Sequence, residues 1–180
     1  MEESLLALGH QNRYDLKSLL TPPDDGLYRC RVLYGADCFE VQYVPYRKRS
    51  VTSLQPIEAD DLEYGLKYSD RTPLDALAPY RGDADDLLII KAGYVTDTTI
   101  ANIAFFDGSR WLTPKTPLLK GTTRARLLEE GVLHESMIHI STIGDFSSFA
   151  LMNAMIGLEV IKDGIILPLK RQIEGDIHAV

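Results

Sequence analysis

An excess of positive charge is missing from this sequence, and its absence argues against a nucleic-acid partner. The 180 residues include 19 Lys and Arg against 26 Asp and Glu, which gives a formal net charge of −7. Surfaces that bind phosphate backbones need clustered Lys and Arg, whereas the basic residues here are scattered. The densest group, at residues 47–49, is typical of a solvated turn.

Long apolar runs and metal-ligand clusters are missing as well. No apolar stretch approaches the ~18 residues that span a bilayer, and no basic region followed by an apolar run indicates a signal peptide. The histidines are dispersed, with no Cys or acidic cluster beside them: His10, His134, His139 and His178. We therefore expect a cytoplasmic protein with no membrane partner and no metal site.

Cysteine is scarce, with only Cys30 and Cys38, one on either side of a predicted hairpin turn. Pairing the two strands symmetrically about Gly35 and Ala36 would place Cys30 opposite Val41. A disulfide is therefore not expected, and two reduced thiols fit a cytosolic protein.

The sequence also has no Gly-x-Gly-x-x-Gly that opens a helix, which argues against a Rossmann fold. Strand patterns outnumber helix patterns, and tight hairpins join several of them. This is typical of an α+β fold with mostly antiparallel sheets and flanking helices. We divide the chain into a small N-terminal α+β domain, residues 1–49, and a larger domain, residues 50–180.

Local patterns predict the individual elements. Helices are expected at residues 10–20, 72–81 and 124–130 and near 145–149. Strands are expected at residues 27–33, 39–44, 51–57, 87–91, 94–97, 103–106, 111–113 and 137–141. A terminal hairpin is expected to turn at residues 162–164.

Three features in the middle of the chain could carry chemistry. Lys67 lies between Leu66 and Tyr68, and a lysine in a desolvated pocket can act as an amine nucleophile; a surface lysine is the alternative. Asp97 lies in a predicted strand, where a buried carboxylate needs a cationic partner. An exposed, turn-forming Asp is the alternative there.

The third feature is a turn, Gly121-Thr122-Thr123, that opens a helix and could bind phosphate through N–H and hydroxyl donors. A plain helix N-cap is the alternative. Arg29 and Arg31, spaced i, i+2 on one strand face, could receive a carboxylate, or could form a solvated face. An amine, a carboxylate and a phosphate-binding turn are the protein parts that a pyridoxal phosphate site requires.

Together these residues resemble the class IV aminotransferase family, the fold-type IV pyridoxal phosphate (PLP) enzymes, over residues 4–155. Within it they look most like the 4-amino-4-deoxychorismate lyases. The resemblance implies a two-domain fold-type IV enzyme whose first N-terminal strand has no counterpart here. It implies that Lys67 forms a Schiff base with PLP. The residues that it matches to cofactor binding are Arg13, Lys67, Asp97, Leu119, Gly121, Thr122, Thr123, Asn153 and Ala154.

Within this set, Arg13 matches a helix arginine that binds the phosphate, and Leu119 would pack beside the ring. Asn153 and Ala154 match the Asn-Ala step of the lyases. Asp97 stands where the family has Glu opposite the pyridine nitrogen, one methylene shorter. A second departure is Arg71, which stands near the place of a family aromatic residue.

The resemblance also implies an activity and a partner. A lyase would convert 4-amino-4-deoxychorismate to 4-aminobenzoate and pyruvate. The alternatives are a branched-chain or D-amino acid transaminase and a catalytically degenerate PLP-binding relative. In each active case Arg29, with Arg31 beside it, would hold the carboxylate of a small amino-group substrate. Family members are usually homodimers, and we expect the same here.

Overall fold

The computed structural model of the protein describes residues 1–170. Contacts divide the chain into two compact units, Met1–Arg49 and a second unit that begins at Ser50. The first unit contains two short helices, α1 (Glu2–Ala7) and α2 (Leu16–Leu19), and two strands, β1 (Tyr28–Tyr34) and β2 (Phe39–Pro45). The strands form an antiparallel hairpin, as the sequence predicted.

The helix predicted at residues 10–20 is mostly wrong, because only Leu16–Leu19 is helical there. The first helix, α1, lies earlier in the chain and ends at a glycine. Gly9 has a φ of 78°, and the backbone N–H groups of Gly9 and His10 donate to the carbonyls of Leu6 and Leu5. This pair of bonds is a Schellman motif, which closes a helix at a left-handed residue. A separate short helix, α2, then follows its N-cap Asp15, whose side chain accepts a hydrogen bond from Lys17 N.

The hairpin register also differs from the predicted one. Cys30 lies opposite Tyr43 rather than Val41, since the turn is closed by a bond from Gly35 N to the Cys38 carbonyl. Both cysteines are free and exposed.

The second unit is built on a nine-stranded sheet in which β10, β9, β6, β5, β4, β3 and β11 follow one another. Strand β7 pairs with β6 and β8. The bounds are β3 (Ser53–Glu58), β4 (Asp86–Lys91), β5 (Tyr94–Thr98), β6 (Asn102–Phe106), β7 (Trp111–Pro114), β8 (Leu133–Ser136), β9 (Ser148–Asn153), β10 (Gly157–Ile161) and β11 (Ile165–Ile166). The helices are α3 (Thr72–Asp75), α4 (Thr122–Glu129) and two 3₁₀ helices, Ala78–Arg81 and Ile140–Asp145.

Most of these pairings are antiparallel, which confirms the predicted α+β class. The parallel ones among the described residues are β3 with β4, β3 with β11 and β7 with β8. At the centre of the sheet, β4 is buried on both faces. In β4, Leu88 and Ile90 pack into one apolar cluster, and Leu87 and Ile89 pack into another. Burial on both faces explains why this strand is a continuous apolar run in the sequence.

Four further predictions in this unit are wrong. The predicted helix at 72–81 is broken into α3 and a 3₁₀ turn, with Pro79 near the start of the turn. The segment predicted as a strand at 137–141 enters a 3₁₀ helix after a single bridge. The predicted helix at 145–149 overlaps the start of β9. The last two strands form no hairpin, because β10 pairs with β9 whereas β11 pairs with β3.

Candidate functional site

An open cleft with a volume of about 110 Å³ lies in the second unit. Its walls come from the ends of β5, β6 and β9, the start of α4 and the irregular segment before α3. The predicted site residues of this unit all line it: Lys67, Asp97, Leu119, Gly121, Thr122, Thr123, Asn153 and Ala154. The fold therefore brings four separate segments of the sequence to one place.

Asp97 lies at the floor of the cleft and is only 3% exposed. Its Oδ1 accepts a hydrogen bond from Asn102 Nδ2 (2.7 Å), and its Oδ2 accepts one from Leu119 N (2.8 Å). Burial raises the pKa of Asp97 to about 7, although these bonds and the charge of Arg124 oppose the rise. The alternative of an exposed, turn-forming Asp is thus wrong.

Asn102 was not among the predicted site residues, yet it joins two sides of the cleft. Its Nδ2 also donates to the Leu119 carbonyl (2.8 Å), so one amide group connects β6 to both Asp97 and the turn before α4. A Cβ at Gly121 would collide with Asn102 Oδ1. The glycine is therefore needed for the turn to approach the strand.

The turn leads directly into α4, whose N-cap is Gly121 with no side-chain capping bond. The first N–H groups of a helix have no partner within the helix and favour anions. Thr123 is buried and Thr122 is exposed, and both line the cleft. Gly121 is thus the N-cap of the helix, and the anion-binding role of the turn stays a prediction.

Arg124 follows the turn but makes its bonds elsewhere. Its Nη2 donates to the Pro114 carbonyl and to Glu135 Oε1, both at 2.7 Å. The side chain is almost fully buried, so it fixes α4 against β7 and β8.

Lys67 lies on the rim of the cleft and is exposed. Tyr64 is buried in the core, and its hydroxyl donates to the Tyr68 carbonyl (3.0 Å). After Tyr64 the chain turns outward, which leaves Tyr68 exposed as well. Of the two alternatives for Lys67, the surface lysine is the one that the structure shows, and its side chain lines the cleft.

Three predicted residues belong to the first unit. Arg13 lies between α1 and α2 rather than in a helix, and its side chain is 76% exposed with Asp37 3.8 Å away. Arg29 and Arg31 are exposed and share one face of β1. The roles that the resemblance gives to these arginines stay predictions.

Within residues 1–170 no group of three or more His, Cys, Asp and Glu side chains could hold a metal ion. His178 lies outside the described residues. In the same part of the chain no helix is long and apolar enough to cross a membrane.

Comparison with known proteins places this cleft in a family. Residues 40–162 match the family described as amino-transferase class IV. The chain belongs to the class IV aminotransferase family. The match runs through the segments that line the cleft and confirms the resemblance on which the sequence interpretation depended.

Two relatives of this class IV aminotransferase family member are named as lyases. A crystal structure of a provisionally named 4-amino-4-deoxychorismate lyase from Haemophilus somnus 129pt has a TM-score of 0.81 and 34% identity. The match covers 87% of this chain and 86% of that one. An uncharacterised protein from Haemophilus influenzae is 44% identical over 147 residues, which cover 82% of this chain and 78% of that protein.

A third relative matches only a short part. It is a provisionally named aminodeoxychorismate lyase from Schizosaccharomyces pombe, 47% identical over 60 residues. The match covers 32% of this chain and 26% of that protein.

Proposed function

We propose that this protein is a PLP-dependent enzyme of the aminodeoxychorismate lyase type, which holds its cofactor covalently through Lys67 Nζ. The observation that carries the proposal is that eight residues matched to the cofactor site line one cleft. Enzymes of the class IV family use PLP, and a relative named as a lyase matches most of this chain.

The residues of the cleft fit the cofactor chemically. The uncapped start of α4 with Thr122 and Thr123 suits the phosphate, and Leu119 offers an apolar contact to the ring. The pKa of Asp97 is about 7, so a cationic pyridinium beside it would favour the ionised carboxylate. The two hydrogen bonds on Asp97 fix its orientation although it is shorter than Glu.

In this proposal each side chain has a defined task. PLP supplies an electron sink when a bond at the amino-bearing carbon of the substrate breaks. Lys67 would hold the cofactor through its Nζ, and the same amine, once free, would move a proton at the substrate. Asp97 would face the ring nitrogen and favour its protonated form. The turn before α4 would bind the phosphate and hold the ring in place without taking part in the proton transfers.

Visible absorption and a point substitution test the cofactor proposal. Protein purified with PLP is expected to show a visible absorption band from the lysine-bound cofactor, and Lys67→Ala is expected to lose it. Lys115→Ala, which changes an exposed lysine outside the cleft lining, is the matched control. A band that survives Lys67→Ala would contradict the proposal.

A second assay separates the reactions. Release of pyruvate and 4-aminobenzoate from 4-amino-4-deoxychorismate without any acceptor supports the lyase. Turnover that depends on an added α-keto acid supports the transaminase alternative. Bound PLP with neither reaction supports the degenerate relative.

We also propose that the protein forms a homodimer. The strands at the two ends of the described sheet path, β10 and β11, carry exposed apolar side chains, Val160 and Ile165. Exposed edge strands favour association. Light scattering coupled to size exclusion is expected to give twice the 20.1 kDa chain mass.

A further inference from the structure

Three charged side chains line the cleft: Lys67, Asp97 and Arg71. The first two have tasks in the proposed function, and Arg71 has none. Arg71 directly precedes α3 and is the one guanidinium among the described residues that line the cleft. An arginine that is always charged, in the cleft that also contains the lysine proposed to hold the cofactor, needs a physical explanation.

Arg71 is anchored to the turn between β5 and β6. Its Nη2 donates to the Thr99 carbonyl (2.9 Å). Thr99 is fixed in turn, because its Oγ1 donates to Asp86 Oδ1 (2.5 Å). Asp86 is 1% exposed and also accepts from Leu87 N. The anchor of the guanidinium is therefore a rigid turn attached to the buried start of β4.

Most of the hydrogen-bonding capacity of Arg71 remains unused by the described residues. A guanidinium has five N–H donors, and one of its nitrogens bonds the Thr99 carbonyl. Asp75 Oδ1 lies 3.7 Å from Nε, but the two side chains are 38% and 67% exposed. An exposed ion pair at this distance contributes little to stability, so another carboxylate can replace Asp75 as the partner of Arg71.

We propose that Arg71 is a substrate-binding residue that receives a carboxylate in this cleft. The assignment rests on the proposed function for the identity of the substrate, an amine that also bears a carboxylate. An anchored guanidinium with free donors suits bidentate carboxylate binding. Arg71 lies in the same unit as Lys67, so it supplies a receptor independent of Arg29 and Arg31.

Calorimetric binding of two carboxylates and one neutral analogue tests this assignment on the protein purified with PLP. The probes are 4-aminobenzoate, pyruvate and aniline. Arg71→Gln is expected to weaken the binding of at least one carboxylate by 10-fold or more and to leave aniline unchanged. The carboxylate affinity of Arg71→Lys should lie between those of wild type and Arg71→Gln, because lysine keeps the charge but loses the bidentate geometry.

Two further variants complete the design. Asp75→Asn removes the competing carboxylate and should strengthen carboxylate binding a few-fold. Arg110→Gln is the matched control, since Arg110 also pairs with a nearby aspartate, Asp107, but lies outside the cleft lining. It should leave all three affinities unchanged.

Equal carboxylate affinities in wild type and Arg71→Gln would overturn the assignment, as would weaker binding by Asp75→Asn. Failure of wild type to bind either carboxylate would also overturn it. The visible band reports the proposed function separately. If the visible band persists and Arg71→Gln binds carboxylates as tightly as wild type, only the carboxylate-binding role of Arg71 is rejected. Arg71-dependent binding without any band in wild type rejects only the PLP function.

Discussion

The two units of this chain differ in how firmly they hold their charged side chains. In the second unit the buried Arg124 bonds Glu135 at 2.7 Å, and Asp97 is fixed by two hydrogen bonds. In the first unit Arg13 and Asp37 are 3.8 Å apart, and both are largely exposed. The difference follows from the core, because the buried hydrophobic residues of the described chain, Leu5 apart, all lie in the second unit.

A functional site needs side chains that are held within tenths of an ångström by the packing around them. The second unit meets this need for Asp97, which is buried and held by two hydrogen bonds. The first unit contributes three predicted arginines whose exposed side chains have few restraints. We therefore expect substitutions in the two units to have different consequences, and four experiments measure the difference.

The largest expected effect is on the core. Phe105 is 1% exposed, and Phe105→Ala is expected to lower the free energy of unfolding by about 3–5 kcal/mol because it leaves a cavity. Phe39→Ala, in the half-buried ring pair with Tyr14, should cost about 1 kcal/mol. Denaturant unfolding followed by circular dichroism, which reports both units, checks both. Equal losses of unfolding free energy in the two variants would contradict the comparison.

The pH dependence of stability is the next largest effect. The pKa of Asp97 is raised from 3.8 to about 7 in the folded protein, so the folded state binds a proton more tightly than the unfolded state. Its contribution to stability is fully present below pH 4 and is lost as the pH rises through 7. The loss amounts to at most about 4 kcal/mol.

The measurement is the free energy of unfolding of cofactor-free protein between pH 4 and 8. Asp97→Asn should remove the dependence of the unfolding free energy on pH that comes from this carboxyl group. Asp37→Asn, which changes an exposed carboxylate of the first unit, should leave that dependence unchanged. An unchanged slope in Asp97→Asn would show that the carboxyl is not held as described.

A smaller effect is expected where Asn102 meets the turn before α4. Asn102→Ala should cost about 1–3 kcal/mol, because it removes donors from a buried carboxylate and from the Leu119 carbonyl. Gly121→Ala should be destabilising in the wild type and less so in Asn102→Ala, since the collision is then relieved. Gly65→Ala, where a Cβ meets open space, is the control for a double-mutant cycle.

The smallest effect on stability is expected at Arg13. Arg13→Ala should change the free energy of unfolding by less than about 0.5 kcal/mol, because its ion pair is exposed. If Arg13 has its predicted role at the phosphate, the same change weakens PLP binding about 10-fold or more. Lys17→Ala is the control for the loss of one positive charge in the same unit. Equal PLP affinity in the two variants would contradict the predicted phosphate-binding role of Arg13.

Sequence patterns predicted the elements whose signals are local. The hairpin of the first unit has alternating strands around a tight turn, and α4 is followed by Gly131, whose φ is 71°. The residues of β9, Ser148–Asn153, were partly assigned to a helix, because a short apolar run does not separate a buried strand from a helix. Its pairing with β6 and β10 decided the outcome.

The residues of the candidate site also divide into those that local motifs predict and those that only tertiary contacts identify. Family resemblance found Lys67, Asp97 and the Gly121 turn, because each sits in a short recognisable motif. Asn102 and Arg71 carry no such signal by themselves. Their importance depends on Leu119 and Thr99, which reach them only after the strands have paired.

The sequence by itself determined the family, the α+β class and the residue types that the cleft would present. These follow from motifs and from alternation along the chain, which are local properties. Only the tertiary structure decided that Asp97 is buried, that Lys67 is exposed and that Arg71 faces the same cleft. Exposure, charge environment and hydrogen-bond partners depend on segments distant in sequence, and packing brings those segments together.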